Sequence, residues 1–214
     1  MLKKPVSAET GAAWIAPLGR SLRACNPRRL RRRRVVRVSI ALMSLMQDLQ
    51  SHRGLSCAVL DGQDAFCSEL SAVGGKLQRS LRAFDEHFGK AHPVFRRESW
   101  GHLLEHWDSL SSNWQSLDFH TNLTVHSELV LRIVGILRQL GQDNQRPLQP
   151  GCIRVLGEWP TMVEHLGLLR AMGVHRIGHP DQPMELRIAA LYRVHLHEAR
   201  STLASVADEF ESPA

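Results

Sequence analysis

From Val38 onward, apolar residues recur at steps of three and four, the period of an α-helix that turns one face to a core. The first stripe reads Val38, Leu42, Leu45, Leu49, position 53, Ser56 and Leu60. It predicts a helix ending at the turn pair Asp61-Gly62. A second stripe, Phe66, Leu70, Val73, Leu77, Leu81, Phe84 and Phe88, predicts a helix closed by Gly89 and Pro93. A third helix is predicted over about 98–116 through Trp100, Leu103, Leu104, Trp107, Leu110, Trp114 and Leu117. Asp118 or Thr121 is placed to cap a fourth, with Leu123, Val130, Ile133, Leu137 and Leu140 on one face up to Gly141. A fifth is predicted over about 152–172, with Pro160 expected to kink or restart it, then a turn from Gly178 to Pro183. The sixth is predicted over about 184–210 through Met184, Ile188, Leu191, Val206 and Phe210.

No segment alternates with period two between hairpin turns, so strands are not expected. The fold class that follows is all-α: antiparallel helices with short connections, packed as two four-helix-type bundles and divided at the Pro- and Gly-containing stretch 141–151. The longest apolar run, 38–46, is interrupted by Ser39 and Ser44. It falls far short of the roughly 18 residues of a membrane span, so no transmembrane helix is predicted.

Charge changes the picture at the N-terminus. The chain of 214 residues carries 27 Lys plus Arg against 21 Asp plus Glu. Residues 1–37 hold eleven of the basic side chains and one acid, Glu9, while 38–214 are mildly acidic. The stretch 1–34, with Pro5, Pro17, Pro27 and a run of arginines, is expected to be a basic, disordered tail ahead of a helical domain over 35–214. Arg31, Arg32, Arg33 and Arg34 make an electrostatic patch suited to RNA, DNA or anionic lipid, the alternative being a solvated basic tail. No aromatic residues are interleaved with them for base stacking. The basic run followed by 38–46 imitates a secretory signal, but no small-residue cleavage site follows, and a cytoplasmic location is expected.

Arg53 falls on the apolar stripe of the first helix, where a guanidinium needs an anion to offset its desolvation. Gly54 beside it permits close helix approach, and Ser56 one turn on offers a hydroxyl. On the fifth helix, Val163, Leu166, Arg170 and Gly173 share a face, so Arg170 is expected to point inward as well. Two such forks of N–H donors suit a small planar oxyanion. The alternative is a structural ion pair of Arg53 with Glu69, Glu128 or Glu164.

The stretch 45–56, Leu-Met-Gln-Asp-Leu-Gln-Ser-His-Arg-Gly-Leu-Ser, resembles the opening of the nitrate- and nitrite-sensing (NIT) domain, roughly L-x-x-x-L-Q-x-E-R-G-x-S. Gln50, Arg53, Gly54 and Ser56 match, while His52 stands where that family has Glu. The stretch 167–171, Gly-Leu-Leu-Arg-Ala, is similar to the family's G-x-x-R-A, and 121–140 to its mid-domain helix, with Asn122 in register. The resemblance spans about 38–205. It implies an all-helical sensor that binds nitrate or nitrite between arginines, here Arg53 and Arg170, with Ser56 and Arg176 as further candidates. It also implies an output module, which is expected in a separate regulatory protein; a homodimer is one assembly compatible with this reading. The competing reading is a helical interaction protein without a small ligand, which would use the Arg-rich tail for nucleic acid or a partner.

Catalytic signatures are weak. His102-Leu103-Leu104-Glu105-His106 matches an inverted zinc-peptidase pattern, but Trp100, Leu103 and Trp107 belong to a core stripe, which leaves the two histidines at its edge. Similarly, His195 reads as a core-edge residue. The four cysteines, Cys25, Cys57, Cys67 and Cys152, show no metal-knuckle or redox spacing. No phosphate-binding loop, nucleophile elbow or dinucleotide fingerprint occurs. The expectation is a non-enzymatic protein without metal or cofactor.

Overall fold

The structure is a computed structural model that describes residues 27–89, 93–96, 98–142, 150–179 and 186–211. The first helix, α1 (Pro27–Leu60), starts well before the expected Val38. The run Arg31 to Arg34, expected in an irregular tail, is therefore helical. Arginine is a good helix former and Pro27 has the backbone torsion of a first helical residue. Residues 1–26 lie outside the described part. The chain divides into a unit up to Arg37 and a second from Val38 to Ala214. Everything that follows in this subsection concerns the second unit.

There the predicted stripe of α1 is the buried one: Val38, Leu42, Leu45, Leu49, Arg53 and Ser56 are all buried. Gly62, at φ 84°, closes the helix, its N–H donating to the Val59 carbonyl at 2.9 Å while the Asp61 N–H donates to that of Cys57. Helix α2 (Cys67–Phe84) runs into a π turn over Asp85–Gly89, so the predicted second helix changes pitch at its end. Helix α3 (Glu98–Asn113) ends in a 3-10 turn, Trp114–Ser116. Asp118 caps α4 (Phe119–Gln142), its Oδ1 accepting from the Thr121 N–H at 2.7 Å. Helices α5 (Pro150–Gly178) and α6 (Leu186–Glu211) complete the order. Met184, predicted to open the sixth helix, lies outside the described residues. The described residues contain no strand, and the architecture is an all-α helical bundle.

Helix α5 differs from expectation in two ways. It is assigned as one helix through Pro160 and six residues beyond 172, to Gly178. From Leu156 onward its buried positions are Leu156, Pro160, Glu164, Leu168 and Met172, one step of four after another, together with Gly157. Val163 and Leu166 are 40% and 51% exposed, and Arg170 is exposed with them. The inward face is therefore rotated from the predicted one. Both faces carry apolar side chains, and the charge of Glu164 concealed which of them packs inward.

The large core joins α1, α2, α3 and α4 through Leu42, Leu77, Leu103, Trp107, Ile133 and their neighbours. Each fully buried aliphatic side chain there stabilises by about 1.5–3 kcal/mol. A smaller core joins Cys57, Leu123, Leu168 and Met172. Helix α4 contributes to both, and α5 packs along it across the connection. The helices on either side of the stretch 141–151 are packing partners within the one compact unit Val38–Ala214.

No described helix is long and apolar enough to cross a membrane.

Candidate functional site

Four turns into the buried stripe of α1, Gln50 and Arg53 reach one carboxylate. The guanidinium Nη1 of Arg53 donates to Glu164 Oε1 and, at 3.0 Å, to Ser127 Oγ. Gln50 Nε2 donates to the other oxygen, Oε2, at 2.9 Å. Arg53 is 2% exposed and Glu164 fully buried, so each charge offsets the desolvation of the other. This is the ion pair that sequence alone offered as one of three alternatives. Glu69 and Glu128 are exposed.

The structure also places the other matched residues. Ser56 is fully buried; its Oγ donates to the Arg53 carbonyl at 3.1 Å and accepts from Asn122 Nδ2 at 2.9 Å. It ties α1 to α4 and does not line the cleft described below. His52 lies inward on α1, packed edge-on against Trp107 at 5.0 Å and held to His126. The His126 Nδ1 faces the Asn122 carbonyl at 2.8 Å, which can only accept, so His126 Nδ1 carries the proton. His126 Nε2 then accepts from His52 Nδ1–H at 2.8 Å. Burial pushes both imidazoles toward the neutral form, His52 down to about 4 and His126 to about 3. His52 therefore supplies no carboxylate to Arg53; Glu164 does.

Beside this pair, α1 and α5 border a cleft of about 610 Å³ lined by Gln50, Arg53, Gly54, Gly167, Arg170 and His175 among others. The two helices exchange glycines and arginines. A Cβ on Gly167 would stand 2.8 Å from Arg53 Nη2, and one on Gly54 would stand 4.0 Å from Arg170 Nη2. The fork of each helix thus lies over the glycine of the other. Arg53 and Arg170 both reach the cleft, Arg53 from the buried side and Arg170 from the exposed side. Arg170 forms no hydrogen bond or ion pair among the described residues. Arg176 does not line the cleft; its Nη1 donates to the His179 carbonyl at 2.8 Å. Arg32, Arg33 and Arg34 lie exposed near the start of α1.

Several groups at this site were not singled out from sequence. His126 and Ser127 lie one turn on from Asn122 along α4, and no spacing links them to α1. His175 Nδ1–H donates to the Asp61 carboxylate at 2.8 Å, a pair separated by 114 positions. On α3, His102 is exposed while Trp100, Leu103 and Trp107 are buried, as the core stripe required. His195 is half-buried on α6 against His165, 2.9 Å away, and its burial lowers its basicity. Cys57 is buried, which raises its thiol to about 11, and Cys67 is exposed.

No family model, curated protein or solved structure matches the chain.

Proposed function

We propose that the α1–α5 cleft binds a small oxyanion, nitrate or nitrite, and that the protein senses it without catalysis. The observation that carries this reading is Arg170: an exposed guanidinium with no partner among the described residues, lining the same cleft as Arg53. Arg170 is the primary anchor. Arg53 contributes Nη2, since Nη1 is committed to Glu164 and Ser127. Two forks on separate helices match the planar oxygens of nitrate, and the glycines let the backbones come close enough for both to serve one ion. Binding would favour the packing of α1 on α5 that holds the forks together, and any signal would pass through that differential affinity to a separate output protein.

The test is a thermal melt with millimolar nitrate, nitrite, chloride or sulfate at matched ionic strength, for the natural chain and for Arg170→Ala. A ligand that binds only the folded state raises the melting temperature by mass action. The expected result is a rise with nitrate or nitrite alone, lost in Arg170→Ala, whose melting in chloride is unchanged. An equal response to all four anions would reject it.

A second reading rests on the exposed Arg32, Arg33 and Arg34 at successive positions of α1, which would bind nucleic acid or an acidic partner by counterion release. Its signature is a steep loss of affinity with salt.

A further inference from the structure

The end of α5 and the turn after α1 bring together three side chains that the proposed oxyanion site does not use as ligands: Asp61, His175 and His179. One ligand-type atom from each lies within 4.8 Å of the other two. We infer that Asp61, His175 and His179 form a binding site for a divalent transition-metal ion of the zinc class, with at least one coordination position left open.

The three groups are held, not merely near. His175 lies in the last turn of α5 and His179 directly follows its end, where the His179 N–H donates to the Arg176 carbonyl at 3.3 Å and the two rings stand with centroids 4.6 Å apart. The His175 ring is stacked on Phe119 at 3.8 Å and 15°, which fixes its plane. His175 Nδ1 lies 2.9 and 2.8 Å from the two Asp61 oxygens. The Nδ1–H of His179 donates to the His175 carbonyl at 3.0 Å, so its Nε2 is the nitrogen free to ligate. Asp61 is set by the Gly62 turn that closes α1.

The donor set is two imidazoles and a carboxylate, borderline donors that suit Zn²⁺ or Co²⁺ better than Ca²⁺ or Mg²⁺. With metal–ligand bonds of about 2.0–2.2 Å, tetrahedral ligand atoms stand about 3.3 Å apart. His175 and Asp61 stand slightly closer than that, at 2.8 Å, and all three ligand atoms lie within 4.8 Å of one another. A small rotation of side chains closes the site around an ion. When His175 ligates through Nδ1, its ring proton moves to Nε2, which leaves Nδ1 and an Asp61 oxygen both facing the ion. Arg176, held on the His179 carbonyl, supplies no ligand. Asp61 and His175 also line the arginine cleft, so a bound dication would add positive charge to it.

The test uses the full chain and Co²⁺, whose visible d–d absorption reports low-symmetry coordination by protein ligands. The expected result is one saturable Co²⁺ per chain, displaced by Zn²⁺, with Zn²⁺ raising the melting temperature. His179→Ala and Asp61→Asn each weaken binding by about tenfold or more, with helicity by circular dichroism unchanged. A control variant, His102→Ala with His106→Ala on α3, and Arg170→Ala both keep it. Arg170→Ala separates this site from the oxyanion reading, because either can fail alone. Absence of saturable binding, survival of binding in His179→Ala or Asp61→Asn, or its loss in the α3 control would overturn the inference.

Discussion

Arg53 serves Glu164 first and the cleft second. Its Nη1 is bonded to Glu164 and Ser127, and neither Arg53 nor Glu164 has solvent to fall back on. Arg53→Ala leaves a buried carboxylate held only by Gln50, and is expected to destabilise the fold by about 3–5 kcal/mol in chemical denaturation. Arg170→Ala removes an exposed guanidinium without a partner among the described residues and should change stability by less than about 0.5 kcal/mol. An Arg53→Ala protein as stable as the natural chain would show that the ion pair is not a structural element. The two arginines looked equivalent in sequence, because each continues an apolar stripe. They differ because a stripe says which residues share a face, whereas only the neighbouring helix says which face is covered.

At the scale of helices, the α1–α5 contact depends on the absence of side chains. Gly167 faces Arg53 Nη2 at a distance no real Cβ tolerates, and that fork is pinned at its other nitrogen. Gly167→Ala should therefore cost about 1–3 kcal/mol through overpacking. Gly54→Ala meets only the free end of Arg170 at 4.0 Å and should be neutral or gain up to about 1 kcal/mol of helix propensity. Denaturation midpoints of the two variants check this, and equal effects would contradict it. The positions of the helices and the Gly62 turn were readable from residue spacing and turn chemistry alone, and the cap of α4 was narrowed to Asp118 or Thr121, of which the structure has Asp118. The ends were less so: α1 extends back to Pro27, where the arginines favour a helix without adding to its apolar stripe, and α5 runs forward to Gly178 through residues that carry no stop signal.

For the whole molecule, the neutral His52–His126 pair links stability to pH. Both imidazoles have folded-state values depressed below the ordinary 6.5, so the unfolded chain binds more protons as pH falls. Their contribution is complete above about pH 6.5 and is lost progressively below it, down toward pH 4 for His52 and 3 for His126. Between pH 7 and 5 this amounts to about 2 kcal/mol for each imidazole. Denaturation at the two pH values should show the fall, and imidazole NMR signals should stay neutral in the folded protein to pH 5. Titration of either ring near 6.5 would refute it. The periodic pattern alone determined that the chain is helical, where most helices lie and which faces of α1 to α4 are buried, because amphipathic period is a local property. The pairing of Arg53 with Glu164, the outward turn of Arg170, the proton order of His52 and His126, and the meeting of Asp61 with His175 and His179 were decided only by tertiary structure. Each joins residues far apart in the chain, and burial, partner and charge state belong to the packed arrangement of helices, not to any one of them.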